Sequence, residues 1–192
     1  MRKEDILFMN LEEKTLRSEL IFDGKVLHVY CDDVALPNGE RSVREYIKHV
    51  GAVCIVPITD DGLVVLERQH RYALHEDIVE IPAGKLDSPD EDPRSAALRE
   101  LREETGIVPA ELIDLGVYYG SPALIGERIH MYLARGLTFG AQALDEDEFL
   151  EVFTLPLATV VEQVLAGEIP DGKTQVAILK AHALLQKEGK QS

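Results

Sequence analysis

Residues 84–107 read GKLDSPDEDPRSAALRELREETGI. Asp92 is a good N-cap, Pro93 suits the first helical position, and Gly106 suits the position just past the end, so the pattern predicts a helix over 93–105. On its wheel Ala97, Leu98, Leu101 and Thr105 share one arc, and Glu100, Glu103 and Glu104 share the adjacent arc. Carboxylates at i, i+3 and i+4 repel one another, each pair costing the helix a few tenths of a kcal/mol. Taken alone, such a face is a solvated helix surface. Here no lysine is interleaved with the acids, Arg99 and Arg102 being the basic residues among them, and they crowd beside the buried stripe. Hard divalent cations such as Mg2+ and Mn2+ take oxygen ligands and would remove the repulsion, so the spacing points to a cation site.

The chain of 192 residues is long enough for one domain burying roughly two-thirds of the surface its unfolded form exposes. Its composition is that of a globular protein, 45% hydrophobic and 29% charged. A net charge of −15 speaks against bulk electrostatic binding to nucleic acid or an anionic membrane. The longest apolar run, Ala52–Ile58, is far shorter than the roughly 20 residues of a membrane span. The opening MRKEDILFMNLEEK has scattered charges and no apolar core, so no signal peptide is expected. Cys31 and Cys54 lack metal-ligand spacing and read as buried free thiols of a cytoplasmic protein.

Before residue 93 the chain reads as strands parted by turns. Residues 18–49 give about three strands, with Asp23-Gly24 and Pro37-Asn38-Gly39 as hairpin turns. The apolar GAVCIVPI and then LVVLER follow as further strands. Strand-like stretches return near Leu112–Tyr119, Arg128–Ala134 and Phe149–Leu155, and helices are expected over Leu157–Leu165 and from about Thr174 to Glu188. The last carries an apolar face of Val176, Leu179 and Ala183. Strands around a few helices imply an α/β or α+β sandwich.

The run Gly84, six residues, Glu91, seven residues, then Arg99-Glu100-Leu101-Arg102-Glu103-Glu104-Thr105-Gly106-Ile107 closely resembles the Nudix box. The departure is one extra residue between Gly84 and Glu91, where the usual form has five; it falls in the loop before the helix. The resemblance implies an α/β/α sandwich with a mixed central sheet, plus N-terminal antiparallel strands, that hydrolyses a nucleoside diphosphate linked to another group. It also implies Glu100, Glu103 and Glu104, with the carbonyl of Ala83, as metal ligands, Glu103 and Arg99 in the catalytic machinery, and Arg99 with Glu91 bracing the loop. The cofactor expected is Mg2+, with Mn2+ as a substitute, two or three ions being held when substrate is bound.

Beyond the box, REYIKHVGAV, LERQHRYAL, VEIPAGKLD, GSP and LDEDEFLEV resemble the ADP-ribose pyrophosphatase branch of the Nudix superfamily. Pro122 stands sixteen residues after Gly106, and Ser121, Pro122 and Glu127 match the loop that contacts the terminal ribose. The family's usual Ser-Pro-Gly is Ser-Pro-Ala here. In LDEDEFLEV the resemblance makes Glu146 the general base and Glu148 a metal contact. Arg44 and Arg71 match the family's substrate arginines, and Glu80, on a strand with buried neighbours, needs an arginine or the substrate as partner. Residues 1–48 are then an N-terminal strand subdomain, exchanged between subunits of a homodimer with composite active sites, and 49–192 the hydrolase domain. The expected reaction is Mg2+-dependent cleavage of ADP-ribose to AMP and ribose 5-phosphate. Its rivals are another nucleoside diphosphate sugar, such as ADP-glucose or GDP-mannose, and a non-catalytic ADP-ribose sensor.

Overall fold

The computed structural model describes residues 9–146 and 148–190. They fall into two compact units, one running up to His49 and including Ser121–Gly126, the other formed by Val50–Gly120 and the chain from Glu127 onward.

The smaller unit is an antiparallel sheet in the order β1 (Lys14–Asp23), β2 (His28–Ala35), β3 (Arg41–Lys48). The two turns read from Asp23-Gly24 and Asn38-Gly39 join these strands, with Gly39 at φ 88°. Every residue of β1 is exposed, and in β2 only Asp32 and Val34 are buried. Asp32 accepts from Ser18 Oγ at 2.6 Å and from Tyr46 Oη at 3.3 Å. Cys31 is half-buried, not buried as expected, because it lies on the opposite face of β2 from Asp32.

The larger unit holds β4 (Ala52–Pro57), β5 (Leu63–Arg71), β6 (Glu76–Glu80), β7 (Ala83–Lys85), α1 (Pro93–Thr105), β8 (Ile107–Tyr118), β9 (Ile129–Phe139), β10 (Leu150–Pro156), α2 (Leu157–Ala166) and α3 (Gly172–Glu188). In place of one mixed sheet there are two: a mixed one, β7-β4-β9-β8, with β4 parallel to β9, and an antiparallel one, β10-β5-β6. All six residues of β4 are buried because both of its faces are covered. Val53 and Ile55 pack with Ala96, Ala97 and Leu101 of α1, whereas Cys54 and Val56 pack with Ala177, Ile178 and Ala181 of α3. β5 alternates the same way, Val65 toward α1 and Val64 and Leu66 toward α3. Helix, sheets and helices thus form the expected α/β/α sandwich.

The helix reading holds at both ends of α1. Asp92 accepts from the Ser95 N–H at 3.0 Å, and Gly106 closes the helix at φ 72°. Within it Leu98 is exposed and the buried stripe is Ala96, Ala97, Leu101, Glu104 and Thr105, so the acidic arc overlaps the core arc. In α3 the buried stripe is Thr174, Ala177, Ile178 and Ala181; of the expected face, Val176 packs half-buried against the same core, whereas Leu179 and Ala183, further round the helix, are exposed. β8 starts at Ile107 rather than near Leu112, since Gly106 turns the chain directly into it. β9 runs on past Ala134 to Phe139 to stay paired with β8. Among the described residues no helix is long and apolar enough to cross a membrane.

Candidate active site

A cleft of about 930 Å3 opens in the larger unit between β7, the acidic face of α1, the loop before β10 and the start of α3. Gly84 stands at its floor because Glu100 lies against it; a Cβ there would overlap the Glu100 carboxylate. Glu104 is 2% exposed and accepts the Ala83 N–H at 2.9 Å, which ties α1 to the strand carrying the Ala83 carbonyl. Arg99 gathers the remaining acids: it donates to Glu100 at 2.7 Å, to Glu103 at 3.2 Å and to Glu91 at 3.3 Å. Glu91 also accepts the Asp87 N–H at 2.6 Å, so one glutamate and one arginine brace the lengthened loop to the helix.

The loop before β10 is fixed to the C-terminus of α1. The Ala143 N–H donates to the Glu103 carbonyl at 2.9 Å, and Gln142 Nε2 donates to the Glu104 carbonyl. This anchorage brings Asp145 and Glu148 to the cleft wall, whereas Glu146 sits on an exposed turn and does not line it. Burial, the charges of Glu103 and Glu148, and opposition from Arg99 leave the Glu100 carboxyl above its ordinary range. Burial and then the charge of Glu67 push Glu104 up strongly, with Glu100 and Glu148 adding to it.

Two residues that the sequence reading passed over complete the site. Glu67, on β5, is fully buried and pairs across the sheet with Glu80. Its Oε2 is a buried atom with no hydrogen-bond partner among the described residues. Lys173, at the start of α3, binds Glu80 and reaches Asp171 at 3.1 Å. Glu80 also takes a two-pronged bond from Arg71, at 2.6 and 2.7 Å, so the partner it was expected to need is an arginine and a lysine together. The signal for Glu67 was its place in LVVLER, two residues beyond the inward Val65; for Lys173 no motif marked it.

Arg71, Glu80, Ala83, Glu100, Glu103 and Glu127 all line the cleft, as does Arg99. Ser121, Pro122 and Arg44 belong to the smaller unit. There Ser121 opens a turn, its carbonyl accepting from Leu124 and Ile125, and Arg44 grips Glu13 at 2.5 and 2.8 Å. Among the described residues no three acidic, histidine or cysteine side chains are already drawn into a ligand cluster. Arg99 and the Ala83 N–H hold the acids of α1 instead. The donor set nevertheless fits a hard cation, being all oxygen, partly desolvated and short of positive charge at Glu67 Oε2.

A NUDIX domain matches residues 48–175, and a nucleoside diphosphate sugar hydrolase N-terminal domain matches residues 13–47. The chain is 45% identical over 171 residues to an ADP-ribose pyrophosphatase of Bacillus subtilis (strain 168), an alignment covering 88% of this chain and 92% of that protein. It is 44% identical over 169 residues to a methanol dehydrogenase activator of Bacillus methanolicus, covering 87% of this chain and 91% of the other. The crystal structure of an ADP compounds hydrolase superposes with a TM-score of 0.81 at 25% identity, covering 94% of this chain and 98% of that one. The domain match over residues 48–175 and the 45% identical relative, covered over most of both chains, show that the chain belongs to the NUDIX domain family.

Proposed function

We propose that this protein hydrolyses the diphosphate of ADP-ribose, giving AMP and ribose 5-phosphate, and needs Mg2+ to do so. The observation that carries the reading is the cleft itself: a wall of carboxylates on α1 faces Arg71 and Lys173 across a space large enough for a dinucleotide-sized anion. The ADP-ribose pyrophosphatase name of the 45% identical relative supplies the substrate.

Glu100, Glu103, Glu104, the Ala83 carbonyl and Glu148 are the groups that would hold the cations. When bound, divalent ions neutralise the diphosphate, polarise it and make a bound water more acidic. The chain's residues do the rest. Arg71, held on Glu80 with its side chain 40% exposed, presents N–H groups to phosphate oxygens. Arg99 and Glu91 keep the loop at the distance that Glu100 and Gly84 require. A carboxylate of the loop before β10 accepts the proton of the attacking water as the P–O bond to the leaving phosphate breaks; Glu146 is assigned that role, and Glu148, on the cleft wall, the cation contact. Glu127, which lines the cleft, is assigned to the sugar end of the substrate.

Residues 1–48 serve as a dimerisation subdomain beside a hydrolase domain of 49–192. Support comes from the exposed Leu16, Leu20, Ile21 and Phe22 of β1. The working form is a cytoplasmic homodimer that binds no nucleic acid, and light scattering on the purified chain reads the assembly state directly. A broader reading, another nucleoside diphosphate sugar, is favoured by the match of residues 13–47 to the nucleoside diphosphate sugar hydrolase N-terminal domain. A panel of ADP-ribose, ADP-glucose and GDP-mannose, with and without Mg2+, separates the two. ADP-ribose is expected to lead in kcat/KM, and Glu104→Gln to lose at least about 100-fold. Turnover without metal, or a fully active Glu104→Gln, overturns the mechanism; a different leading sugar overturns the substrate.

A further inference from the structure

The buried charges behind the cleft do not balance. Arg71 and Lys173 both close on Glu80, and Lys173 also answers Asp171. Glu67, directly across the sheet from Glu80, is left with one neutral hydrogen bond, from Gln69 Nε2 to its Oε1 at 2.9 Å. Its Oε2 has no partner among the described residues, and the side chain is 0% exposed. A carboxylate buried in this way is costly unless a cation pairs with it.

Its direction is set by the strand. Glu67 lies two residues beyond Val65 and so on the same face of β5, the face that packs on Leu101 of α1. One turn beyond Leu101 on α1 is Glu104, itself buried. Two desolvated carboxylates from separate elements therefore converge behind the acidic face, while Arg71 and Lys173 are already engaged by Glu80 and Asp171. An apolar residue at 67 would continue the alternation of β5 at no electrostatic cost, so packing alone gives no reason for the acid.

We propose that Glu67 is a further cation residue of this site, its Oε2 supplying an oxygen, directly or through a metal-bound water, to a hard divalent ion held by Glu104. The inference rests on the reading of the acidic cleft as a divalent-cation site. It assigns to β5 a role that the acids of α1 do not cover.

The test is a titration of the full chain with Mn2+ alone, following free Mn2+ by electron paramagnetic resonance, with no nucleotide present. Glu67→Gln keeps the shape and the Gln69 bond; Glu67→Val fills the position with an apolar side chain; Glu104→Gln is the reference. Melting curves in EDTA and in Mg2+ accompany each. Expected are a Mn2+ Kd weakened about 10-fold or more in both Glu67 variants, an EDTA-state Tm equal to or above that of the parent, and a smaller Tm gain on adding Mg2+. Mn2+ binding within twofold of the parent in the Glu67 variants, while Glu104→Gln is weakened, overturns the proposal and leaves the cleft reading intact. A lowered EDTA-state Tm with an undiminished Mg2+ gain overturns it likewise, making Glu67 a purely structural acid. Should the parent itself fail to bind Mn2+, the cleft reading falls and this proposal with it. Loss of Mn2+ affinity in the Glu67 variants of a protein that does not cleave ADP-ribose sustains the proposal and removes only the substrate.

Discussion

Gly84→Ala should uncouple activity from stability. Gly84 does not occupy the left-handed region, so an alanine meets no backbone strain there. The conflict is with one side chain: the new methyl would fall on Cδ and both oxygens of Glu100. Ordinary contact begins at 3.4 Å, so the carboxylate must retreat by ~1 Å or more. It is the end of a flexible chain, which keeps the stability cost near the low end of overpacking, about 1 kcal/mol, or a Tm fall of about 2–4 °C. The same retreat loosens the 2.7 Å bond to Arg99 and displaces an oxygen proposed to hold the cation. Misplacement on that scale costs about 100-fold in rate, equivalent to about 2.7 kcal/mol of transition-state stabilisation. Release of AMP from ADP-ribose at saturating Mg2+, with parallel melts, measures both quantities. A variant that melts like the parent and turns over within threefold of it would show that the Glu100 position does not matter, and the assignment of Glu100 would fail.

Three further outcomes follow from the packing. Gly106→Ala must hold alanine at φ 72° with its methyl against the Gly140 backbone, so it should cost about 2 kcal/mol and lower Tm by about 4–8 °C; an unchanged melt refutes the αL cap. Glu80→Gln should cost about 3 kcal/mol or more by thermal melt. Lys173, 12% exposed, keeps Asp171 but loses its more buried partner and cannot turn to water, whereas Arg71, 40% exposed, can, so adding Lys173→Met should recover part of the loss; no recovery would mean that the buried lysine is not the source of the cost. Burial pushes the Cys54 thiol up to about 12 from 9.0, so it should resist a thiol reagent at pH 8 until the protein unfolds, while the half-buried Cys31 reacts first. Between about pH 9 and 12 the unfolded chain releases that proton and the folded chain keeps it, so Cys54 lowers stability as pH rises through this window. Rapid native labelling of Cys54 at pH 8 would contradict its burial.

The sequence was most legible where local chemistry dominates. Asp92, Pro93 and Gly106 bound α1 because caps act over a few residues, and the box register named the acids for the same reason. It was least legible where burial depends on partners distant in the chain. The wheel set Leu98 in the core and the glutamates beside it, but α1 rolls so that Glu104 enters and Leu98 leaves. Glu104 can enter only because the Ala83 N–H, 21 residues away, waits for it. Glu67 and Lys173 went unread because each is explained by a strand pairing or an ion pair across the fold rather than by its neighbours. The resemblance gave Glu146 and Glu148 roles but not places: the anchorage of Gln142 and Ala143 on α1 brings Glu148 to the cleft wall and leaves Glu146 on an exposed turn.

The repulsion written into RELREETG is answered in two stages. Within the chain, Arg99 supplies a single positive charge, shared by Glu91, Glu100 and Glu103, and this suffices for folding because those side chains remain partly solvated. Glu104 is out of that arrangement. It is buried, among the described residues its carboxylate takes a neutral N–H from Ala83 and no charged partner, and Glu67 adds a second negative charge behind it. The two halves of the box therefore differ in kind: the outer acids meet a charged partner within the protein, and the inner one meets a neutral one. A divalent ion would gain least from competing with Arg99 and most from meeting Glu104, so the inner glutamate should dominate cation affinity and the outer two should tune position. Measured separately, Glu104→Gln should weaken Mn2+ binding more than Glu103→Gln, and the reverse order would place the unanswered charge on the solvent side of the helix.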